Sequence, residues 1–228
     1  IGLHLVRFVL QKRRDWSLRI LDNESVGRRE DLARLLDEEF PQERADIEED
    51  RLEVISGDIC DADCVKHATK GCDYVVHLAA WTGVQTSIQN PADSIRVNAL
   101  GTLNVLEAAR KKQVRRVVLA SSNAAAGEPD HSDYGPFCVK PLSPYGAGKL
   151  CLEALASAYW RSMELETVCL RFANVYGPYS GRKSSVVAKW INRILNEKPI
   201  EIYGDGSQTR DFVWAGDIAQ AILSGLES

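Results

Sequence analysis

The chain has 228 residues, with 28 Lys and Arg against 32 Asp and Glu, for a net charge of −4. That balance gives no electrostatic basis for binding nucleic acid or an anionic membrane surface. No apolar run approaches the roughly 20 residues a membrane helix needs, and the basic cluster Lys12–Arg14 follows the first apolar stretch, whereas in a secretory signal it would precede it. At 45% hydrophobic and 26% charged residues, the composition is that of a soluble globular domain, large enough for one sizeable core.

In chain order, "IGLHLVRFVL" (1–10) reads as a helix opened by Gly2, with Leu3, Leu5, Val6, Val9 and Leu10 at helical spacing. "LRILD" (18–22) is a strand ending in an acid. The acidic run 36–50 reads as a solvated loop and helix face. Further strands follow at 50–58, 72–80, 115–122 and 165–175, each a nearly continuous apolar run of the kind parallel strands show when both faces are covered. Helices are predicted between them over 61–69, 92–112 and 144–163, the second closed by the basic run "KKQVRR", which suits the negative end of a helix dipole. The alternation predicts an α/β fold, a doubly wound parallel sheet.

Six cysteines, at 60, 64, 72, 138, 151 and 169, form no C-x-x-C and read as reduced thiols of a cytoplasmic protein. Cys60, Cys64 and His67 are spaced as ligands on one helix, but no second pair follows at zinc spacing, so no metal site is expected.

In a doubly wound sheet a strand, a glycine-rich turn and a helix come first. Gly2 stands where the last glycine of that turn would be, and the strand before it is not in the sequence. Burying about five apolar side chains of such a strand is worth roughly 10 kcal/mol, as much as a whole domain's stability. The expectation is therefore a chain truncated at both ends, folding poorly alone. Asp22, followed by Asn23, ends the next strand; an acid there bonds the ribose hydroxyls of NAD and repels the 2′-phosphate of NADP. A plain turn at Asp22–Asn23 is the competing reading.

The sharpest motif is "SPYGAGK" (143–149). Ser143 caps a helix and Pro144 fits its first turn. Tyr145 and Lys149 are then i and i+4 on one face. An ammonium about 5 Å from the phenol, at an effective dielectric of about 20, contributes roughly 3 kcal/mol, or about two pKa units, and draws the phenol toward neutrality. Such a tyrosine can exchange a proton with a substrate hydroxyl while hydride passes to a nicotinamide. "VVLASS" ends a strand about twenty residues earlier, at the edge where ligands bind, so Ser122 can bond the same oxygen; a turn or cap serine is the alternative. In "GDGSQTR" (204–210), glycines let backbone amides approach phosphate oxygens and Arg210 is suited to a diphosphate, though a surface hairpin with a solvated arginine would look alike.

Taken in order, these segments resemble the extended short-chain dehydrogenases/reductases, and within them the NAD-dependent nucleotide-sugar epimerases and dehydratases. The resemblance covers essentially the whole chain. It implies catalytic roles for Ser122, Tyr145 and Lys149. For the cofactor it implies Gly2 as the tail of the glycine motif, Asp22 and Asn23 at the ribose, and Asp58 and Ile59 ("GDI") beside adenine. Ala79 and Ala80 ("HLAA") would lie behind the pyrophosphate, and Asn98 ("VNALGT") would support the active site. On the substrate side it implies Asn174 ("RFANVYGP") and Arg210 at the diphosphate, and Val187 in the segment lining the base. It divides the chain into a dinucleotide-binding part, 1–175, and an incomplete sugar-nucleotide part, 176–228, and it implies a homodimer.

Dehydratases of this family place Asp-Glu after the active-site Ser/Thr, whereas Asn123-Ala124 stand here and cannot do acid–base work. The expectation is a UDP-glucose 4-epimerase-like enzyme acting on a UDP-hexose through a 4-keto sugar. A dehydratase or reductase of the same family, and a non-catalytic nucleotide-binding relative, are the alternatives. Ala126 replaces the aromatic residue most relatives have before Gly127, which leaves the hexose open.

Overall fold

A computed structural model describes residues 1–127, 139–181, 185–202 and 204–228. Glu128, Cys138 and Tyr203, which fall in segments quoted above, lie outside them.

The chain begins with α1 (Gly2–Lys12), then β1 (Leu18–Asp22), α2 (Arg29–Glu39), the single turn α3 (Arg44–Asp46), and a π turn (Ile47–Arg51) leading into β2 (Leu52–Ser56). Next come α4 (Ala62–Ala68), β3 (Tyr74–His77), α5 (Val84–Gln89) and α6 (Pro91–Ile95). A π turn (Arg96–Gly101) joins α6 to α7 (Thr102–Lys111); β4 (Arg116–Ser122) follows and ends in a 3₁₀ turn (Asn123–Ala125). The remaining elements are α8 (Pro144–Met163), β5 (Glu166–Phe172), β6 (Asn174–Tyr176), α9 (Val186–Leu195), β7 (Phe212–Trp214) and α10 (Ala215–Glu227).

Among the described residues every strand pairing is parallel. β1 pairs with β2, β4 lies between β3 and β5, and β6 pairs with β7. The helix predicted over 92–112 is present, but with a wide turn at 96–101. The strand predicted over 165–175 is two strands in different sheets. It breaks at Ala173, because the Asn174 amide turns to the Asp211 carbonyl (3.1 Å) at the start of β7's pairing.

Two compact units emerge, neither continuous in sequence. The larger comprises residues 18–23, 52–172 and 221–228. Its core on one side is Leu106, Val117, Leu119, Leu152 and Tyr159, brought together by α7, β4 and α8. A second cluster, Ile59, Val65, Val105 and Ala108, is covered by Leu21 from β1 and Val75 from β3. Leu106, Val117, Leu119 and Leu152 have no exposed surface; at about 2 kcal/mol for each buried side chain, this is the packing that fixes the carboxyl edge of β4.

The other unit comprises residues 1–17, 24–51 and 173–220. His4 of α1 is buried, edge-on to Tyr179 and Trp214, and its Nε2 lies 3.3 Å from the Pro178 carbonyl. Arg7 pairs with Glu39 across α1 and α2 at 3.2 Å.

Candidate active site

The best-defined constellation is where α8 meets β4. Ser143 Oγ accepts the Gly146 N–H (3.1 Å) and Pro144 fills the first turn, so the helix begins where capping chemistry places it. The two glycines of the motif explain how closely α8 is seated. A Cβ on Gly146 would overlap the carbonyl oxygen of Ala124, in the turn after Ser122, and one on Gly148 would stand 2.8 Å from Asn98 Cβ. Both are helix-interior glycines, unfavourable by about 1 kcal/mol against alanine, and close approach is what they provide. The sequence motif highlights Tyr145 and Lys149; the glycines that seat them were not singled out.

Ser122 takes the capping role that its sequence allows. Its Oγ accepts the Ala124 N–H (3.2 Å), capping the 3₁₀ turn, and its hydroxyl is near enough to the Tyr145 phenol to lower that group's pKa. Lys149 is buried, and its Nζ donates to the Ala120 carbonyl at 2.7 Å. Burial holds its pKa down at about 8, with nearby Cys169 opposing the shift.

The phenol departs from the sequence-based expectation. Desolvation in the half-buried seam raises the Tyr145 pKa, and the nearby Ser122 hydroxyl opposes this. The ammonium is engaged by the strand carbonyl of Ala120.

Asn98 sits in the wide turn, fully buried. Its amide brackets one residue, accepting from the Trp81 N–H (2.8 Å) and donating to the Trp81 carbonyl (3.0 Å). It thereby holds the loop after β3 that carries Ala79 and Ala80. His77, at the end of β3, is buried with its pKa pushed down to about 3, first by desolvation and then by Lys149. Its Nε2 lies 3.0 Å from Thr102 Oγ1, which in turn donates to the Asn98 carbonyl at 2.7 Å. Since the threonine proton is engaged, the ring nitrogen is assigned as the donor.

Asp22 and Asn23 lie at the end of β1, and Asn23 Nδ2 donates to Asp58 Oδ2 (3.1 Å). Asp58 also accepts the Cys60 N–H (2.8 Å), and these bonds hold its carboxyl below the usual range, the backbone bond contributing most. The Ile59 side chain is buried in the second core cluster, and its carbonyl accepts from Asn104 (2.9 Å). Cys64 packs its sulfur on Gly57; no group of three His, Cys, Asp or Glu among the described residues is arranged to hold a metal.

Four predicted residues belong to the other unit. Asn174 donates its side-chain amide to the Asp211 carbonyl (3.0 Å), tying β6 to the approach of β7. Val187 is half-buried in the first turn of α9. Arg210 is exposed and donates to its own neighbours, the Thr209 carbonyl (2.9 Å) and Gln208 Oε1 (3.4 Å). Before it, Gly204 and Gly206 adopt φ of 74° and 78°, and Asp205 accepts from Ser207. At Gly2 a Cβ would meet nothing within 4 Å, so crowding gives no reason for a glycine there.

A serine at the end of a parallel strand, beside a helix that carries a tyrosine and a lysine one turn apart, is the arrangement that resembles the extended short-chain dehydrogenases/reductases. The chain belongs to the NAD dependent epimerase/dehydratase family, whose model matches residues 1–228. It is 35% identical to a putative UDP-glucose 4-epimerase of Methanocaldococcus jannaschii, over 99% of this chain and 70% of that one. It superposes on UDP-N-acetylglucosamine 4-epimerase from Methanobrevibacter ruminantium with a TM-score of 0.85 and 32% identity, covering all of this chain and 69% of that one. A dTDP-glucose 4,6-dehydratase variant from Streptomyces venezuelae, solved with NAD bound, matches with a TM-score of 0.84 and 29% identity, over 100% of this chain and 69% of that one. Of four other curated relatives the chain spans about half the length, 45% to 49%.

Proposed function

We propose that the chain is the catalytic part of an NAD-dependent 4-epimerase acting on a UDP-hexose. The observation that carries the reading is the seam of Ser122, Tyr145 and Lys149, followed by a turn, Asn123–Ala125, that contains no carboxylate. Elimination of water from a sugar needs an acid and a base beside the oxidised carbon, and asparagine and alanine supply neither.

The residues fit a bound dinucleotide. Lys149 is a buried ammonium with three donors and, among the described residues, one hydrogen-bond acceptor, the Ala120 carbonyl; ribose hydroxyls suit the others. Asp22 and Asn23 would hold the adenosine ribose, Asp58 and Ile59 would lie beside adenine, and Ala79 and Ala80, with the loop that Asn98 brackets, would back the pyrophosphate; Gly2 would serve the cofactor as the tail of a glycine motif. When bound, NAD supplies the hydride acceptor and donor for one sugar carbon. Tyr145 takes the proton of the sugar 4-hydroxyl and returns it after the keto sugar has turned over. Ser122 donates to the same oxygen, and Lys149 holds positive charge at the carboxyl edge. In the chain alone, burial keeps the phenol protonated, so proton transfer depends on positive charge gathering at that edge. Arg210 and Asn174 would meet the diphosphate and Val187 the base.

Functionally, residues 1–175 would serve the dinucleotide and 176–228 the nucleotide sugar. We place the protein in the cytoplasm as a homodimer. Among the described residues no helix is long and apolar enough to cross a membrane. Leu100 and Trp160, 56% and 47% exposed, offer apolar surface on neighbouring helices for a second copy.

The test is to incubate the protein with NAD and UDP-galactose in deuterated water and follow products by NMR. Formation of UDP-glucose without solvent deuterium on carbon is expected, because hydride returns from the cofactor. A 4-keto-6-deoxy sugar carrying solvent deuterium would replace the reading with a dehydratase; the absence of any turnover together with retained nucleotide binding would replace it with a non-catalytic relative.

A further inference from the structure

The contacts of α8 with β4 continue beyond the tyrosine and lysine. Tyr145, Lys149 and Glu153 are spaced i, i+4 and i+8, so they stand on one face of the helix in successive turns. They face three consecutive residues of β4: Tyr145 lies near Ser122, Lys149 bonds the Ala120 carbonyl, and Glu153 Oε1 accepts from Ser121 Oγ at 2.5 Å. Ser121 is buried, with 3% of its surface exposed. Its register partner on β5 is Arg171, which forms a two-pronged pair with the same carboxylate at 2.8 and 2.7 Å. One side chain from α8 therefore grips two adjacent strands, one residue before Ser122.

We propose that Glu153 is a positioning residue: by anchoring Ser121 and Arg171 to α8, it sets the register between the helix that carries Tyr145 and the strand end that carries Ser122. The working motif is Tyr145-x3-Lys149-x3-Glu153, with the glutamate acting on Ser122 and Tyr145 through Ser121 and Arg171. A pair made of two parallel charge-assisted bonds is directional as well as strong, which suits it to holding a register. Burial of Ser121 adds to this, because its hydroxyl has little water to turn to once the carboxylate is gone. Arg171 also holds the Glu153 carboxyl below its usual range, so the acceptor stays ionised throughout neutral pH. Misplacing a reacting group by about 1 Å can cost about a hundredfold in rate.

The inference rests on the catalytic reading of Ser122 and Tyr145, and its test is separable from that reading. The full chain is labelled with 3-fluorotyrosine and the Tyr145 resonance is assigned by its loss in Tyr145→Phe. Glu153→Gln keeps the shape and removes the charge; Ser121→Ala removes one bond and leaves the Glu153–Arg171 pair. In Glu153→Gln we expect the Tyr145 resonance of the cofactor-free protein to shift and its titration midpoint to move, as the placement of Ser122 beside the phenol changes. We expect kcat to fall about tenfold or more while KM stays within about twofold. Ser121→Ala is expected to move the same resonance in the same direction, by less. A Tyr145 resonance and titration unchanged in the folded variants would overturn the proposal, as would a loss of rate matching only the loss of folded protein. If Glu153→Gln does not fold, Ser121→Ala decides by the same resonance. Turnover retained in Tyr145→Phe would instead refute the catalytic reading and leave the resonance shift to report positioning alone.

Discussion

The seam of α8 against β4 and the segment from Gly204 to Arg210 carry the two halves of the proposed chemistry, and they are built differently. In the seam, Lys149, Ser121 and Asn98 are buried, and each is bonded to another element. In the second region, Arg210 is exposed and bonds to the two residues before it, while Asp205 bonds to Ser207 two positions on. The first region is organised before any ligand arrives, as a group that must meet a reacting atom requires. The second has charge and glycine turns available but little long-range structure to fix them, as suits residues that take up their geometry on binding.

This contrast can be broken at several points. The largest expected effect is at the phenol: Tyr145→Phe should lower kcat by about 10²- to 10⁴-fold, with nucleotide-sugar affinity by calorimetry nearly unchanged. Next is Lys149→Met, which should abolish turnover and yet stabilise the protein. Because Lys149 titrates at about 8 when folded against an ordinary 10.5, the unfolded chain binds more protons between those values. Its burial therefore costs about 3 kcal/mol at neutral pH, a cost that fades as pH rises from 8 to 10.5. Urea unfolding across that range should show wild-type stability rising relative to the variant; parallel curves would mean that the ammonium is not buried in solution.

Arg210→Ala sharpens the other side. Loss of a charge-assisted contact made only with ligand should raise KM about 10- to 100-fold and leave the melting temperature within about a degree. A melting temperature several degrees lower would show that this region is as pre-built as the seam.

The smallest effects are on stability at two glycines. Gly146→Ala should destabilise by about 1–3 kcal/mol, because the new methyl meets the Ala124 carbonyl, although helix propensity alone favours alanine. Gly2→Ala, in open space, should change stability by no more than a few tenths of a kcal/mol and weaken NAD binding if its amide serves a phosphate. Thermal melts of the two variants, with and without NAD, would separate packing glycines from ligand glycines.

The parallel sheets and the helix caps were legible because they rest on local rules: apolar runs for β1, β3 and β4, and Ser143-Pro144 ahead of α8. The catalytic trio was legible because its spacing is helical. What stayed hidden depends on long-range contact. The wide turn at Arg96–Gly101 goes with Thr102 bonding back to Asn98 and with His77 bonding that threonine, neither of which periodicity records. Glu153 looks like any polar helix residue until Ser121 and Arg171 are found beside it in register. The break at Ala173 was hidden for the same reason, since the apolar run continues through it while the hydrogen-bond partner changes. Helical spacing does not show the phenol's raised pKa, because that comes first from burial, which the i, i+4 pattern does not record.

The central claim is that the Tyr145 oxygen carries the proton of the sugar hydroxyl. It is tested most directly by the steady-state interconversion of UDP-galactose and UDP-glucose, with NAD, by wild-type and Tyr145→Phe protein at matched nucleotide-sugar saturation. The account predicts that removing this single oxygen leaves binding intact and reduces turnover by at least about a hundredfold; turnover within a few-fold of wild type would contradict it.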